Sequence, residues 1–289
     1  MKYPGKLAGL AVFGSFCSLG FAGEGSAGGP PEPPKPDRAW KLVWSDEFDR
    51  DGLPDPARWA YDVGGHGWGN RERQYYTESR PENARVEDGR LIIEARREAW
   101  EGCDYTSARL VTRGRAAWTY GRFEIRAKLP AGRGSWPAIW MLPVEWTLGT
   151  GKWPDVGEID IMEHVGHEPG VIHASAHSRD HQWQNGTQKT ATVVVPDATT
   201  AFHTYVLEWE PDVLRAYVDD RLYFVCPNEG RGWRSWPYDR DFYLLLNIAV
   251  GGVWGGVEGI DDASLSWRME VDYVRVYQRD AGEGKGGQE

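Results

Sequence analysis

From Arg122 to Leu129 apolar and charged side chains alternate one for one. Phe123, Ile125, Ala127 and Leu129 fall on one side, and Arg122, Glu124, Arg126 and Lys128 on the other. A period of two is that of a β-strand with one face buried and one face wet. The pattern recurs, with His203, Tyr205, Leu207 and Trp209 alternating with Phe202, Thr204, Val206 and Glu208. Residues 213–218 and 222–225 flank Asp219-Asp220-Arg221, which reads as a hairpin turn. Residues 91–95, 110–112, 171–175, 242–250 and 269–277 read as further strands. No long helical period is present, and one helical turn is expected near 232–236. Many short strands separated by turn signals predict an all-β, antiparallel two-sheet sandwich. No fixed repeat period suggests a propeller or solenoid.

The ends of the chain differ in composition from this middle. Lys2 and Lys6 precede an apolar stretch, 7–21, which is short for a membrane span, and small residues follow at Ala22-Gly23. Residues 1–23 therefore read as an export signal, and the product is expected to be secreted, periplasmic or at the cell surface. Cys17 raises a lipoprotein alternative, against which the bulky Phe16 counts. Residues 24–37 are a Pro/Gly-rich linker and 280–289 a Gly-rich tail, which leaves 38–279 as one domain. Cys103 and Cys226 remain; export permits a disulfide, but spacing cannot place them within bonding range, so two thiols are the default. A net charge of −10 argues against nucleic acid as a partner and suits a neutral polymer. The 16 tryptophans can stack on sugar rings or fill a sandwich core, and both uses are expected. No exposed apolar strand is evident, so a monomer is expected.

Within Gly157-Glu158-Ile159-Asp160-Ile161-Met162-Glu163-His164 three carboxylates lie in six residues of an otherwise apolar strand. Strict alternation would put Glu158, Asp160 and Met162 on one face and Glu163 among the isoleucines. A buried unpaired carboxylate is costly. A β-bulge near Ile161-Met162 would instead return Glu163 to the face of Glu158 and Asp160. Three acids would then share one exposed surface. A solvated acidic edge or a cation site is the rival reading, but such edges rarely carry Ile-x-Ile between the acids. Paired carboxylates flanking a scissile bond are the equipment of glycoside hydrolysis.

Read with its neighbours, this segment resembles glycoside hydrolase family 16, in its laminarinase-like (endo-β-1,3-glucanase) branch. The resemblance is carried by Trp68-Gly69-Asn70 and 72–77 (Glu-Arg-Gln-Tyr-Tyr-Thr), by 105–109 (Tyr-Thr-Ser-Ala-Arg) and by Gly121-Arg122-Phe123-Glu124. It continues in 134–142 (Gly-Ser-Trp-Pro-Ala-Ile-Trp-Met-Leu), 247–252 (Asn-Ile-Ala-Val-Gly-Gly) and 271–277 (Val-Asp-Tyr-Val-Arg-Val-Tyr). The five-residue step from Glu158 to Glu163 is that of the laminarinase branch, whereas the lichenase branch lacks the extra residue. The resemblance implies a β-jelly-roll with a cleft across its concave sheet and a retaining mechanism on β-glucan. It makes Glu158 the nucleophile and Glu163 the acid/base, with Asp160 between them.

The tryptophans Trp136 and Trp140, spaced by four, share one strand face and are expected to line the cleft, with Pro137 and Ile139 pointing away. The resemblance further implies Asn70 as a sugar ligand and His177 as a cleft histidine near the acid/base; Trp254, between glycines, reads as a cleft wall, and Arg115 is a weaker candidate. Val253 stands where relatives often carry Asn. No organic cofactor or catalytic metal is implied. A structural Ca²⁺ on the opposite side is implied at Glu47, Gly89 and Asp272. Asn185-Gly186-Thr187 is a glycosylation sequon whose meaning depends on the host. Alternative substrates are mixed-linkage β-1,3-1,4-glucan and an algal galactan. A non-catalytic glucan-binding protein is the rival of another class, disfavoured by the acid trio. Transglycosylation depends on how water competes at the glycosyl-enzyme.

Overall fold

A computed structural model describes residues 40–279. The expected export signal with Cys17, the linker at 24–37 and the tail at 280–289 lie outside the described residues. Seventeen strands form two sheets. They are β1 (Trp40–Asp46), β2 (Ala60–Tyr61), β3 (Gln74–Tyr76), β4 (Ala84–Glu87), β5 (Arg90–Trp100), β6 (Cys103–Ser107), β7 (Arg109–Val111), β8 (Gly121–Lys128) and β9 (Ser135–Pro143). The chain continues through β10 (Glu158–Glu163), β11 (Val171–His177), β12 (Lys189–Val194), β13 (His203–Glu210), β14 (Val213–Val218), β15 (Arg221–Pro227), β16 (Phe242–Val250) and β17 (Trp267–Arg279). One sheet has ten strands, in the order β15-β14-β13-β8-β17-β5-β6-β3, with β1 beside β17 and β4 beside β5. The other has seven, β12-β11-β10-β9-β16-β7-β2. All pairings among these strands are antiparallel except β3 with β6.

The alternation in β8 is realised residue by residue, with Phe123, Ile125 and Ala127 fully buried and their neighbours half-buried. These side chains meet Ile139, Met141, Ile159, Leu244 and Leu246 of the second sheet in one continuous core. Fully burying a side chain of this size stabilises by roughly 1.5–3 kcal/mol. A one-residue slip would turn the whole inward set outward, so packing fixes the register. The seven-stranded sheet is covered on both faces near its centre. All nine residues of β16 are buried. Phe242, Leu244, Leu246, Ile248 and Val250 enter the core, while Tyr243 and Leu245 pack with Val111, Leu142 and Trp140 on the opposite face.

The helical turn expected near 232–236 closes on hydrogen bonds from Ser235 N and Trp236 N to Gly232 O without becoming a helix. A single-turn helix, α1 (Gly252–Gly255), occurs instead beyond β16. Cys103 and Cys226 are both free thiols, Cys226 buried under the ten-stranded sheet. No helix among the described residues is long and apolar enough to cross a membrane.

Candidate active site

The acidic strand β10 lies in the middle of the seven-stranded sheet, between β9 and β11. Against β9, Asp160 pairs with Trp140 but Met162 already pairs with Ile139, so β10 holds one residue more than its partner. The bulge therefore falls where the cost of burying Glu163 placed it. Ile159, Ile161 and Met162 all enter the core, and Glu158, Asp160 and Glu163 all leave it. Gly157 enters the strand at φ +89°, with Pro237 Cγ only 2.7 Å from where a Cβ would stand, so no other residue fits there unstrained.

The expectation of an exposed acidic surface needs correction. Asp160 is only 4% exposed, and Glu158 and Glu163 are half-buried. The trio lies between β11 and the tryptophan-bearing strand β9 of the same sheet. Burial pushes all three carboxyl groups up, and the mutual repulsion with Asp160 adds to it at Glu158 and Glu163. All three are carried to about 8. His177 partly offsets the rise at Glu158, and the Trp136 hydrogen bond partly offsets it at Glu163.

Two histidines of β11 divide the site. Register pairs Glu158 with His177 and Glu163 with His173. His177 Nε2 lies 3.2 Å from Asp160 Oδ2 and 3.9 Å from Glu158 Oε1, and the Trp153 ring lies 5.7 Å from its imidazole. His177 was expected beside the acid/base; it stands at the Glu158 end, because β11 runs antiparallel to β10. Glu163 instead accepts a 3.0 Å hydrogen bond from Trp136 Nε1. Trp254, on α1, packs edge-on against both Trp136 and His173, at 5.5 and 4.8 Å. Trp136 and Trp140 are half-buried on the outward face of β9, and Pro137 and Ile139 are buried on the other, as the spacing predicts.

Asn70 reaches the site through its loop. Its carbonyl accepts from Val253 N at 2.8 Å, and its amide donates to Glu72 Oε1 at 3.4 Å. Val253 is exposed on α1. Arg115 is engaged elsewhere, donating to the carbonyls of Pro56 and Gly114. Sequence reasoning missed a polar network on the Trp140 side. Glu72 accepts from Gln74 Nε2 (2.7 Å) and from the Tyr76 hydroxyl (3.1 Å). Tyr76 in turn accepts from Asn247, whose Oδ1 accepts from Trp140 Nε1 at 2.7 Å. Arg109 lies between the Trp68 and Trp140 rings, 4.7 and 4.6 Å from their centroids, and pairs with Asp62. Burial raises the Glu72 carboxyl despite these donors and the Arg109 charge. Glu72 and Arg109 stand inside motifs quoted above, but only folding reveals that they face the tryptophans.

The implied calcium residues converge on the other sheet. Strand β17 pairs with β5 up to Val271–Leu91 and with β1 from Val274–Asp46 onward. Asp272 falls in the stretch where it changes neighbour, Glu47 directly follows β1, and Gly89 directly precedes β5. The Glu47 carboxylate is held by Arg275 through two bonds of 2.9 and 2.7 Å, and Asp272 pairs with Arg126. Neither the Glu47 nor the Gly89 carbonyl accepts a hydrogen bond from the described residues. Carbonyl and carboxylate oxygens are the hard donor type that Ca²⁺ takes. Glu47 would serve through its backbone, not its side chain.

Comparison with known proteins supplies the lineage. The family model described as glycosyl hydrolases family 16 matches residues 71–275. The "Beta-glucanase" of Rhodothermus marinus is 60% identical over 244 residues, covering 83% of this chain and 85% of that one. The solved structure of the laminarinase from Rhodothermus marinus superposes with a TM-score of 0.82 at 60% identity, covering 83% of this chain and 98% of that one. SCLam, described as a non-specific endo-β-1,3(4)-glucanase, superposes at 0.81 with 44% identity over 86% of this chain and 94% of its own. Because the likeness spans both sheets and the bulged acidic strand within the smaller one, the chain belongs to family 16 of the glycosyl hydrolases.

Proposed function

We propose that this protein is a retaining endo-β-1,3-glucanase that cuts laminarin-like glucans. The observation that carries the reading is the one-residue bulge in β10, which sets Glu158 and Glu163 on one outward face, where neither carboxylate forms an ion pair with a lysine or arginine. Retaining hydrolysis needs one carboxylate to attack and one carboxylic acid to protonate. Its place in the motif assigns Glu158 the attack on the anomeric carbon; burial and Asp160 raise its carboxyl to about 8, as they do Glu163, and His177 and Arg109 lower it in part. The motif likewise makes Glu163 the acid, and burial and Asp160 raise its carboxyl so that it can carry the proton the leaving oxygen requires. The glycosidic C–O bond breaks as the Glu158 ester forms. Glu163, now ionised, takes a proton from water, and that water releases the sugar with its configuration retained. The charge on Asp160 couples the two titrations, so the pH profile belongs to the group. Trp136, Trp140 and Trp254 offer ring faces and edges for sugar stacking, and Asn70 a polar contact.

The names carried by the Rhodothermus marinus relatives support β-1,3-glucan as the substrate. SCLam's description favours one second reading, in which β-1,3-1,4-glucan is also cut. The export reading of residues 1–23 places the enzyme outside the cytoplasm, where such polymers are met, and calcium at Glu47, Gly89 and Asp272 is proposed as structural only. Product analysis on laminarin, with mixed-linkage glucan and agarose alongside, tests the assignment. A ladder of short β-1,3-oligosaccharides is expected. Release from mixed-linkage glucan alone would overturn the substrate, and no release from any polymer would return the binding-protein reading.

A further inference from the structure

The Glu158 end of the site has the donor set of a transition-metal chelate. One carboxylate oxygen each from Glu158 and Asp160 and one imidazole nitrogen of His177 lie within 4.8 Å of one another. A tetrahedral ion with bonds of roughly 2.1 Å holds its donors about 3.4 Å apart. The His177 Nε2 separations, 3.2 Å to Asp160 Oδ2 and 3.9 Å to Glu158 Oε1, bracket that edge length. Two of the three groups are more than nine-tenths buried, and Asp160 Oδ2 has no hydrogen-bond partner among the described residues. An unpartnered carboxylate oxygen aimed at an imidazole is a poor resting arrangement but a good pair of metal ligands.

We propose that Glu158, Asp160 and His177 bind a zinc-like divalent ion that inhibits the enzyme by occupying its nucleophile. The imidazole and the small number of donors select a borderline ion such as Zn²⁺ or Cu²⁺ over Ca²⁺ or Mg²⁺, which want six or more oxygens. Three protein donors leave a fourth position for water. The ion and the sugar compete for the same Glu158 oxygen, so inhibition is competitive with glucan. All three donors must be deprotonated, so the ion binds more weakly as pH falls. The inhibitory consequence rests on Glu158 being the nucleophile, whereas the binding itself does not.

The two are separated by titrating Zn²⁺ into the Glu163→Gln protein, which keeps every proposed ligand. One zinc per chain is expected by calorimetry, with a rise in melting temperature. Adding His177→Gln should weaken that binding at least ~10-fold, as loss of even an outer-sphere partner can. Asp160→Asn gives the same reading should the histidine variant fail to fold. Zinc that leaves Glu163→Gln untouched, or that binds equally without His177, overturns the site. Zinc that binds through His177 in Glu163→Gln yet leaves laminarin hydrolysis by the unaltered enzyme unchanged would keep the site and overturn its inhibitory role together with the placement of the nucleophile.

Discussion

The arginine-clamped acids of the ten-stranded sheet and the acid trio of β10 are treated in opposite ways. On the outer face of the ten-stranded sheet each buried carboxylate has a cation. Glu94, 1% exposed, is held by Arg85 (3.1 Å), Arg96 (2.7 Å) and Arg268 (2.9 Å). Glu208 is held by Arg122 at 2.6 Å and by the Tyr217 hydroxyl at 2.9 Å. Glu98, hydrogen-bonded by Arg80, is pulled down to about 2. On the seven-stranded sheet Glu158, Asp160 and Glu163 share one histidine and one indole N–H, and Glu163 is pushed up to about 8. The first arrangement fixes carboxylates as permanent anions and ties strands together. The second keeps protons on acids at a pH where free carboxylic acids have lost them, which is a chemical use of the same side chain.

The largest way to test that contrast is to neutralise one acid on each sheet. Glu158→Gln should reduce kcat on laminarin by about 10⁴-fold or more, as loss of a nucleophile does, while melting at or above the parent temperature. Glu94→Gln should leave specific activity unchanged but lose about 1–3 kcal/mol in urea unfolding, because three arginines lose a charged partner that solvent only partly replaces. Activity in the first variant near that of the parent, or a stable second one, would break the comparison.

The pH dependence of stability should differ in sign. A carboxyl raised in the folded state holds a proton that the unfolded chain has released, so its contribution to stability falls as pH rises from about 4.5 toward 8. Glu98, lowered, contributes above its unfolded value and loses that contribution as pH falls from about 4.5 to about 2. Melting curves should therefore decline less between pH 5 and 8, to the order of a few degrees, in Glu163→Gln than in the parent. The Glu98→Gln deficit should vanish toward pH 2. Parallel curves for parent and Glu163→Gln would mean that Glu163 is not raised.

A smaller effect sharpens the acid/base assignment. Trp136→Phe keeps a ring but removes the N–H that lowers Glu163. The basic limb of the kcat profile should move to higher pH by less than a unit, with kcat changed within about tenfold. A limb that stays in place would sever Trp136 from the acid. The smallest effect lies on the ten-stranded sheet. A chelator should lower the melting temperature by a few degrees without changing the initial rate, since the Glu47, Gly89 and Asp272 site lies on β17 and its neighbours, away from β10. An unchanged melting temperature would remove calcium from the description.

Much of this was legible in the chain. Alternation in 122–129 predicted a half-buried strand because side-chain direction along a strand is a local property. The bulge at Ile161-Met162 could be read because one in-register strand would have buried Glu163, an energetic conflict contained within eight residues. The outward pair Trp136 and Trp140 followed from the same periodicity. What the chain alone did not disclose was which strand lies beside which. That His177 stands by Glu158 and His173 by Glu163 depends on the antiparallel register of β10 and β11. Glu72 reaches Trp140 through Tyr76 and Asn247, and Asn247 lies far from the other three in sequence. The burial that raises the acids comes from the same assembly. Local pattern determined the strands and the direction of their acids; tertiary packing decided the neighbours, and neighbours set protonation, because desolvation and charge act through space and not along the chain.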